Sequence, residues 1–170
     1  MRILICAAFY PPYCGGYAES VRLLAEGLVA RGNAVTVVAC DDAESARTEI
    51  VRGVLIHRVP AHNSPWLQKS FPNPNPFIFW RSLRQAKKDG IDIISTQTRF
   101  FVSTLIGFIF AKLHRIPVVH TERGAMHTES DNMLVRVCAK TIDHTAGWLV
   151  CRFADGVIGV SDAACAFAEH

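Results

Sequence analysis

The fold class is decided by the first forty residues, 1-MRILICAAFYPPYCGGYAESVRLLAEGLVARGNAVTVVAC-40. Two apolar runs, residues 3–8 and 34–40, lack the in-and-out alternation of a half-exposed strand, which is typical of strands buried on both faces. Between them, residues 20–31 repeat apolar side chains at helical spacing and stop at Gly32 and Asn33. We expect this helix to begin at Ser20 as its N-cap. A strand, a helix and a second strand in this order predict a parallel pair joined by a crossover.

The same alternation continues along the chain. Four more apolar runs predict strands at residues 54–59, 91–96, 117–121 and 156–160. Helical patterns separate several of them, at residues 77–88, 101–113 and 131–153. The sequence therefore predicts an α/β fold, a Rossmann-like parallel sheet with helices on both faces. The Pro- and Asn-rich residues 61–76 predict a long connecting loop.

Composition limits the class of protein. Half of the 170 residues are hydrophobic, 19% are charged and the net charge is +3, which excludes a disordered chain and does not predict a nucleic-acid partner. We expect one domain over residues 1–170. A helical pattern over residues 163–170 has no stop signal, so we expect a truncated last helix and a longer protein.

The cysteines predict neither disulfides nor a metal. None of the six forms a CxxC pair, and several lie in apolar runs, where reduced cysteine acts as a small hydrophobic side chain. We expect a reducing, cytoplasmic compartment and no metal. The longest apolar stretch, residues 100–113, is too short to span a bilayer.

Candidate functional residues follow the predicted strands. In an open α/β sheet, ligands bind outside the carboxyl ends of the strands, so these segments are expected to meet at one edge. The candidate substrate-binding residues are Gly15, Gly16, Gln97, Arg99 and Ser161, and the candidate catalytic residues are His120, Glu122 and Arg123.

Each candidate also has a simpler interpretation. Gly15 and Gly16 let backbone amides approach a phosphate at a helix N-terminus, or they only form a turn. His120, Glu122 and Arg123 offer a titratable ring, a carboxylate and an anion-binding guanidinium, or they form a surface ion pair beside a histidine. Ser161 binds ligand or only caps a helix. The dinucleotide fingerprint GxGxxG is absent, although Asp41 follows the second strand.

A basic stripe lies on the second predicted helix. Arg81, Arg84 and Lys88 share one helical face, which is either solvated or placed against an anionic membrane surface. Four aromatic residues nearby favour the membrane interpretation: Trp66, Phe71, Phe77 and Trp80.

The ordered segments resemble the opening of the group 1, or family 4, retaining glycosyltransferases. The FYPPYCGG loop, the helix ending in ARGN and the VTV strand carry this resemblance, followed by GVLIHRVP, DIISTQ, HRIPVVHTERG and ADGVIGVSDAA. In many members a histidine precedes the glycine after the fifth strand, where this chain has Arg123 before Gly124. A histidine is also frequent after the fourth strand, where this chain has Gln97.

The resemblance implies a GT-B architecture of two Rossmann-like domains, with this chain as the N-terminal, acceptor-side half and the donor-binding domain absent. It implies transfer of a sugar from a nucleotide-sugar donor to a carbohydrate or lipid-linked acceptor with retention, without metal or other cofactor. Gly15 and Gly16 match the loop that approaches the donor phosphate or the acceptor, and Ser161 matches the serine after the sixth strand. The isolated chain is expected to be inactive, and the whole protein to act as a cytoplasmic enzyme, in peripheral contact with a membrane.

Two other classes stay open at this point. One is a nucleotide-binding Rossmann domain of another enzyme class, such as an oxidoreductase. The other is a non-catalytic module that binds carbohydrate or lipid.

Overall fold

An eight-stranded sheet forms the centre of the computed structural model, which describes residues 1–42, 46–63, 72–124 and 133–169. The sheet order is β3-β4-β2-β1-β6-β7-β8, with β5 paired to β4. Among the strands of the described residues, only β3 and β5 run antiparallel, both against β4. The strands are β1 (Arg2–Ala7), β2 (Ala34–Asp41), β3 (Arg47–Val51), β4 (Val54–Asn63), β5 (Pro72–Pro74), β6 (Ile93–Gln97), β7 (Val118–Glu122) and β8 (Gly156–Gly159).

Helices connect most of the parallel strands. They are α1 (Gly16–Ala30), α2 (Pro76–Lys88), α3 (Val102–His114), α4 (Met133–Ile142), α5 (Trp148–Phe153) and α6 (Asp162–Ala168). A π-helical turn, Asp143–Gly147, joins α4 to α5 and interrupts the single helix predicted over residues 131–153. All six predicted strands are confirmed, as is the α/β class.

Two hydrophobic clusters cover the two faces of the sheet. On one face, Val21 and Ala25 of α1 pack with Ile5 of β1 and Val37 of β2. On the other face, side chains of α2 and α3 pack with Leu4 and other strand residues, and include Phe79, Leu83, Phe108 and Phe110. Because both faces are covered, the central strands need apolar residues at successive positions, which explains the missing alternation.

Close packing of α3 on the sheet depends on Gly107. A Cβ atom at this position would lie 2.6 Å from Sγ of Cys6 in β1, closer than two such atoms can approach. Cys6 is fully buried, and burial raises the pKa of its thiol, so it packs as a hydrophobic side chain as predicted. Cys14 and Cys165 are exposed, so that interpretation does not extend to them.

The predicted beginning of α1 is wrong. The helix begins at Gly16 with Gly15 as N-cap, and Ser20 lies inside it. The apolar periodicity is weak before Val21, because residues 16–20 are mostly small or polar, although Ala18 is already buried.

The predicted loop over residues 61–76 is also partly wrong. Its start extends β4 to Asn63, and Pro72–Pro74 forms β5 against β4. Its central part, residues 64–71, lies outside the described residues, and so do Trp66 and Phe71.

The sheet order reverses between β1 and β6. From β1 the chain proceeds outward through β2 and β4 on one side, and β6, β7 and β8 follow on the other. Connections that leave in opposite directions open a crevice at the carboxyl ends of these strands. Along the part of the chain that the structure describes, no helix is both long and apolar enough to cross a bilayer.

Candidate functional site

Glu122 lies at the carboxyl end of β7 and is completely buried. Its Oε2 accepts a hydrogen bond from Nε of Arg99 at 2.7 Å and lies 3.5 Å from Nε2 of His120. Its Oε1 accepts hydrogen bonds from the backbone amides of Arg123 at 2.9 Å and Gly124 at 2.8 Å. The carboxylate therefore ties the segment after β6 to the segment after β7.

These contacts keep Glu122 ionised. Burial raises the pKa of the carboxyl group, but hydrogen bonds from His120, Arg99 and the Gly124 amide more than offset this effect. The resulting pKa is about 2. A charged carboxylate inside the protein is stable here because each oxygen has its own donors.

His120 is buried beside this carboxylate. Its side chain has no exposed surface, and its Nδ1 lies 3.0 Å from Oγ1 of Thr96 in β6. Nε2 faces the carboxylate of Glu122, and Nδ1 shares a hydrogen bond with the Thr96 hydroxyl, so both ring nitrogens have a partner. His120 and Glu122 thus face the interior, and they hold neighbouring groups rather than line the crevice.

Arg123 follows β7 at the carboxyl edge of the sheet. Its Nη2 donates to Oε1 of Gln97 at 2.8 Å, and its Nη1 donates to Oγ of Ser20 in α1. The amide of Gln97 is itself fixed, because its Nε2 donates to Oγ of Ser95 at 2.7 Å. The guanidinium carbon lies 5.8 Å from the centre of the Tyr17 ring. Arg123 therefore joins β6, β7 and α1.

The partners of Arg123 do not neutralise it. Among the residues that the structure describes, no carboxylate forms an ion pair with its guanidinium, and its buried Nε has no hydrogen-bond acceptor. Partial burial lowers the pKa of Arg123, which means that the protein environment disfavours the charged form. A bound anion would relieve this cost.

Gly15 and Gly16 lie at the N-terminus of the helix that Arg123 contacts. Both are exposed at the N-terminus of α1, and a Cβ at Gly16 would meet no atom within 4 Å. The Arg123 guanidinium contacts Ser20, about one turn further along the same helix. The positive end of a 15-residue helix therefore lies close to a guanidinium that has no direct ion-pair partner among the described residues.

Tyr17 links the Gly15–Gly16 loop to the neighbouring strands. Its hydroxyl oxygen accepts a hydrogen bond from the Ala8 amide at 3.1 Å and donates to the Gln97 carbonyl oxygen at 3.4 Å. Burial raises the pKa of Tyr17, so the hydroxyl keeps the proton that it donates. The loop after β1 is thus fixed against the end of β6.

Arg99 is a structural group in this arrangement. It is 4% exposed, and its Nη2 donates to the Phe167 carbonyl oxygen at 2.7 Å. Its guanidinium carbon lies 4.2 Å from the centre of the Phe167 ring. A Cβ at Gly147 would lie 2.7 Å from Cδ of Arg99, so the glycine of the π-helical turn leaves room for it. The preceding Thr98 has a φ of 62°, a strained backbone conformation for a β-branched residue that turns the chain at the end of β6.

Ser161 is the N-cap of α6, which confirms one of its two predicted roles. Its hydroxyl accepts a hydrogen bond from the Ala164 amide at 3.2 Å as the N-cap of α6. The Val160 amide donates to the Glu122 carbonyl oxygen at 3.1 Å, which places this segment next to β7. Among the described residues, the Ser161 side chain forms no hydrogen bond with another candidate residue.

One group of side chains has the donor atoms of a metal site. His120, Glu122 and Cys151 place one ligand atom each within 4.8 Å of one another. However, Oε2 of Glu122 already binds the Arg99 guanidinium, whose positive charge opposes a second cation. The absence of a metal cofactor stays a prediction.

Several residues of the site were not predicted from the sequence. Thr96, Tyr17 and Ser20 contact candidate residues directly, and Phe167 closes over Arg99. Ser20 and Tyr17 could have been predicted, because both are polar and lie within two helical turns of the glycine loop. No signal in the sequence marks Phe167, because its contact depends on the packing of α6.

A comparison with protein families agrees with the predicted resemblance. Residues 14–170 match the model described as Glycosyltransferase Family 4. The chain belongs to glycosyltransferase family 4. This membership favours the glycosyltransferase interpretation over that of a dinucleotide-dependent oxidoreductase.

Two curated relatives are similar over most of the chain. An uncharacterized glycosyltransferase of Methanocaldococcus jannaschii is 29% identical over 169 residues, which are 96% of this chain and 42% of the relative. The alpha-monoglucosyldiacylglycerol synthase of Streptococcus pneumoniae is 31% identical over 140 residues, which are 80% of this chain and 30% of the relative. The chain thus spans less than half the length of either of these relatives.

Solved structures show the same fold. HepE of Anabaena, in complex with UDP, superposes with a TM-score of 0.63 at 19% identity, over 99% of this chain and 40% of HepE. Sucrose-phosphate synthase of Thermosynechococcus elongatus gives 0.61 at 16% identity, over 92% of this chain and 41% of the synthase. The family 4 chain therefore has the Rossmann-like fold that forms part of the GT-B architecture.

Glu122→Gln tests the importance of the buried carboxylate. Loss of its charge leaves the buried Arg99 guanidinium without an ion-pair partner, so we expect the free energy of unfolding at pH 7 to fall by about 3 to 5 kcal/mol. The folded-state pKa of about 2 lies below the unfolded value. The contribution of the charge is therefore complete above about pH 4.3 and is lost as the pH falls towards 2. Chemical denaturation across this range measures the difference.

Glu19→Gln is the matched control. Glu19 pairs with Arg22 on the exposed surface of α1, so its replacement should change the stability little. A difference between wild type and Glu122→Gln that stays constant from neutral pH to pH 2 would contradict the ionised, hydrogen-bonded state of Glu122.

Proposed function

We propose that this chain is the acceptor-side half of a retaining glycosyltransferase. It would bind the diphosphate of a nucleotide-sugar donor at Gly15, Gly16 and Arg123, next to a carbohydrate or lipid-linked acceptor. The donor-binding half would be supplied by sequence outside these 170 residues, because the chain spans 42% of its M. jannaschii relative.

One observation carries the proposal. The Arg123 guanidinium has two neutral hydrogen-bond partners, and it lies beside the open N-terminus of α1. Both features favour an anion, and a diphosphate has the oxygen atoms to accept from the guanidinium and from backbone amides together. In the neighbour HepE, the bound molecule is UDP, which contains such a diphosphate.

The proposed reaction needs stabilisation of negative charge. The bond between the sugar anomeric carbon and the diphosphate oxygen breaks, and the acceptor oxygen bonds to the same carbon on the same face. The proton of the acceptor hydroxyl passes to the departing phosphate. Arg123 and the α1 amides stabilise the charge that develops on this phosphate, which is the kind of preorganised electrostatic effect that lowers barriers most.

His120 and Glu122 would act through Arg123. Both are buried, and Glu122 binds the amides of Arg123 and Gly124, so they set the position of the loop that presents the guanidinium. Gln97 fixes the guanidinium plane from the other side. In this proposal Arg123 is the group that meets substrate, and the three others are positioning residues.

Inorganic pyrophosphate tests the proposed anion site. We expect the wild-type chain to bind it, Arg123→Lys to bind more weakly because the planar fork is lost, and Arg123→Ala to bind about tenfold or more weakly. Isothermal titration calorimetry gives the dissociation constants, and thermal midpoints show whether the variants remain folded. In the product of the complete gene, Arg123→Ala should raise the activation barrier for sugar transfer by about 2 to 4 kcal/mol.

Arg81→Ala serves as the control, since Arg81 is exposed on α2, on a helix that does not form the site. Pyrophosphate binding by Arg123→Ala that equals the wild type and Arg81→Ala would rule out Arg123 as the anion-binding group.

The acceptor side is also proposed to contact a membrane surface. Arg81, Arg84 and Lys88 are all exposed on α2, and Phe77 at its N-terminal end is 84% exposed. Trp80 contributes less than expected, because it packs against Phe110 with ring centres 5.0 Å apart. The S. pneumoniae relative is named for the synthesis of a glycosylated diacylglycerol, which is a lipid.

Vesicle sedimentation tests the membrane contact. The chain should bind vesicles that contain anionic phospholipid, and binding should weaken as salt screens the charges. Arg81→Glu/Arg84→Glu should reduce this binding strongly. Arg31→Glu/Arg52→Glu makes the same charge change at exposed positions away from α2 and should reduce it less. Equal losses in the two variants would show a general charge effect, and the contact proposed for α2 would be wrong.

A further inference from the structure

A second concave site lies on the opposite side of β1 from Arg123. It is a cavity of about 230 Å³ at the carboxyl ends of β1, β2 and β4, whereas Arg123 lies at the ends of β6 and β7. The cavity is lined by Phe9 and Tyr13 after β1, by Asp41 and Asp42 at the end of β2, and by Arg58 of β4. We name it the Tyr13 cavity.

Two aromatic rings form one wall of the Tyr13 cavity. Phe9 and Tyr13 are stacked, with ring centres 4.3 Å apart and planes at 20°. Tyr13 is 40% exposed although its neighbour Tyr10 is buried. An exposed, flat ring of this kind suits a ligand with one apolar face and polar edges.

The polar lining favours a neutral ligand that donates hydrogen bonds. Arg58 is 3% exposed, and its Nε donates to Oε1 of Glu49 at 2.5 Å. Asp41 lies 2.9 Å from Nη2 of Arg47 through its Oδ2. The charged residues that line the cavity are one arginine, Arg58, and two carboxylates, Asp41 and Asp42, so the lining has no excess of positive charge for a phosphate. Carboxylate oxygens accept hydrogen bonds from hydroxyl groups.

The wall is held in place before any ligand binds. The buried Arg58 donates through Nη2 to the carbonyl oxygen of Pro11, and the Tyr13 amide donates to the Tyr10 carbonyl oxygen at 3.3 Å. These bonds fix the loop that carries both rings to β4. A preorganised wall reduces the entropy that a ligand loses when it binds.

The Tyr13 cavity is one aromatic layer away from the proposed anion site. The Phe9 ring contacts the Tyr17 ring edge-on, with ring centres 6.0 Å apart. The guanidinium carbon of Arg123 lies 5.8 Å from the centre of the same Tyr17 ring. A ligand in the cavity is therefore next to the transfer site and separate from it.

From this arrangement we infer that the Tyr13 cavity binds a neutral pyranose unit of the acceptor, a sugar other than the one that receives the transferred residue. The ring stacks on Tyr13, and its hydroxyl groups donate to Asp42 and Asp41. The acceptor is then a saccharide of at least two units, either free or attached to a lipid. This inference rests on the proposed glycosyltransferase function.

Direct binding of simple sugars to the chain tests the inference. The probes are the methyl α- and β-pyranosides of glucose, galactose and mannose, followed by chemical shifts of the backbone amides. At least one pyranoside should bind saturably and shift the amides of Tyr13 and Asp42. Tyr13→Ala and Asp42→Asn should each weaken that binding about three- to tenfold, because the first removes the stacking ring and the second replaces a charged hydrogen-bond acceptor with a neutral amide.

Matched controls separate this site from other effects. Phe77→Ala removes an exposed aromatic ring of α2, and Asp89→Asn removes an exposed carboxylate just after this helix; both variants should leave pyranoside binding unchanged. Pyrophosphate binding should be the same in Tyr13→Ala as in the wild type. If the wild-type chain does not bind pyrophosphate, the result counts against the proposed function. If the wild-type chain binds pyrophosphate but no sugar, the proposed function is unaffected.

Two results would overturn the inference. One is that no pyranoside binds the wild-type chain while pyrophosphate still does. The other is that UMP, and no pyranoside, shifts Tyr13 and Asp42, since the cavity would then hold a nucleotide.

Discussion

The buried carboxylate of Glu122 is the interaction on which the site depends. It receives hydrogen bonds from the Arg99 side chain and from the amides of Arg123 and Gly124, and its own charge is kept by them. Through Arg99 the same contact reaches Phe167 in α6. The ionised carboxylate of Glu122 therefore holds the segments after β6 and β7 together. Without these hydrogen-bond donors, a buried carboxylate would not remain charged.

The structure gives different positions to the three residues that the sequence predicts as catalytic. His120 and Glu122 face the interior, whereas Arg123 turns back over Tyr17 towards the first turns of α1. The guanidinium is held by neutral partners, so its charge remains available to an anion. The position before Gly124 holds a permanent cation in this chain, in place of the proton-transfer group that the family resemblance leads one to expect.

Sequence periodicity predicted the central fold because buried strands and amphipathic helices are each determined by local patterns. The six parallel strands follow from apolar runs such as that of β1, but β3 is polar and takes its place only by pairing with β4. The edge of the sheet at which the candidate residues meet was also predictable from the strand order. The burial of Glu122 and the contact of Arg123 with Ser20 were not, since they depend on side chains about 20 and 100 residues away in sequence.

The central claim is that Glu122 places Arg123 where it binds the donor diphosphate, and a double-mutant cycle tests it most directly. Pyrophosphate dissociation constants are measured for the wild type, Glu122→Gln, Arg123→Ala and the double variant, all under conditions in which each is folded. We expect Glu122→Gln to weaken binding when Arg123 is present and to have little further effect once Arg123 is alanine, so that the two changes are coupled. Additive effects of the two substitutions would contradict the claim.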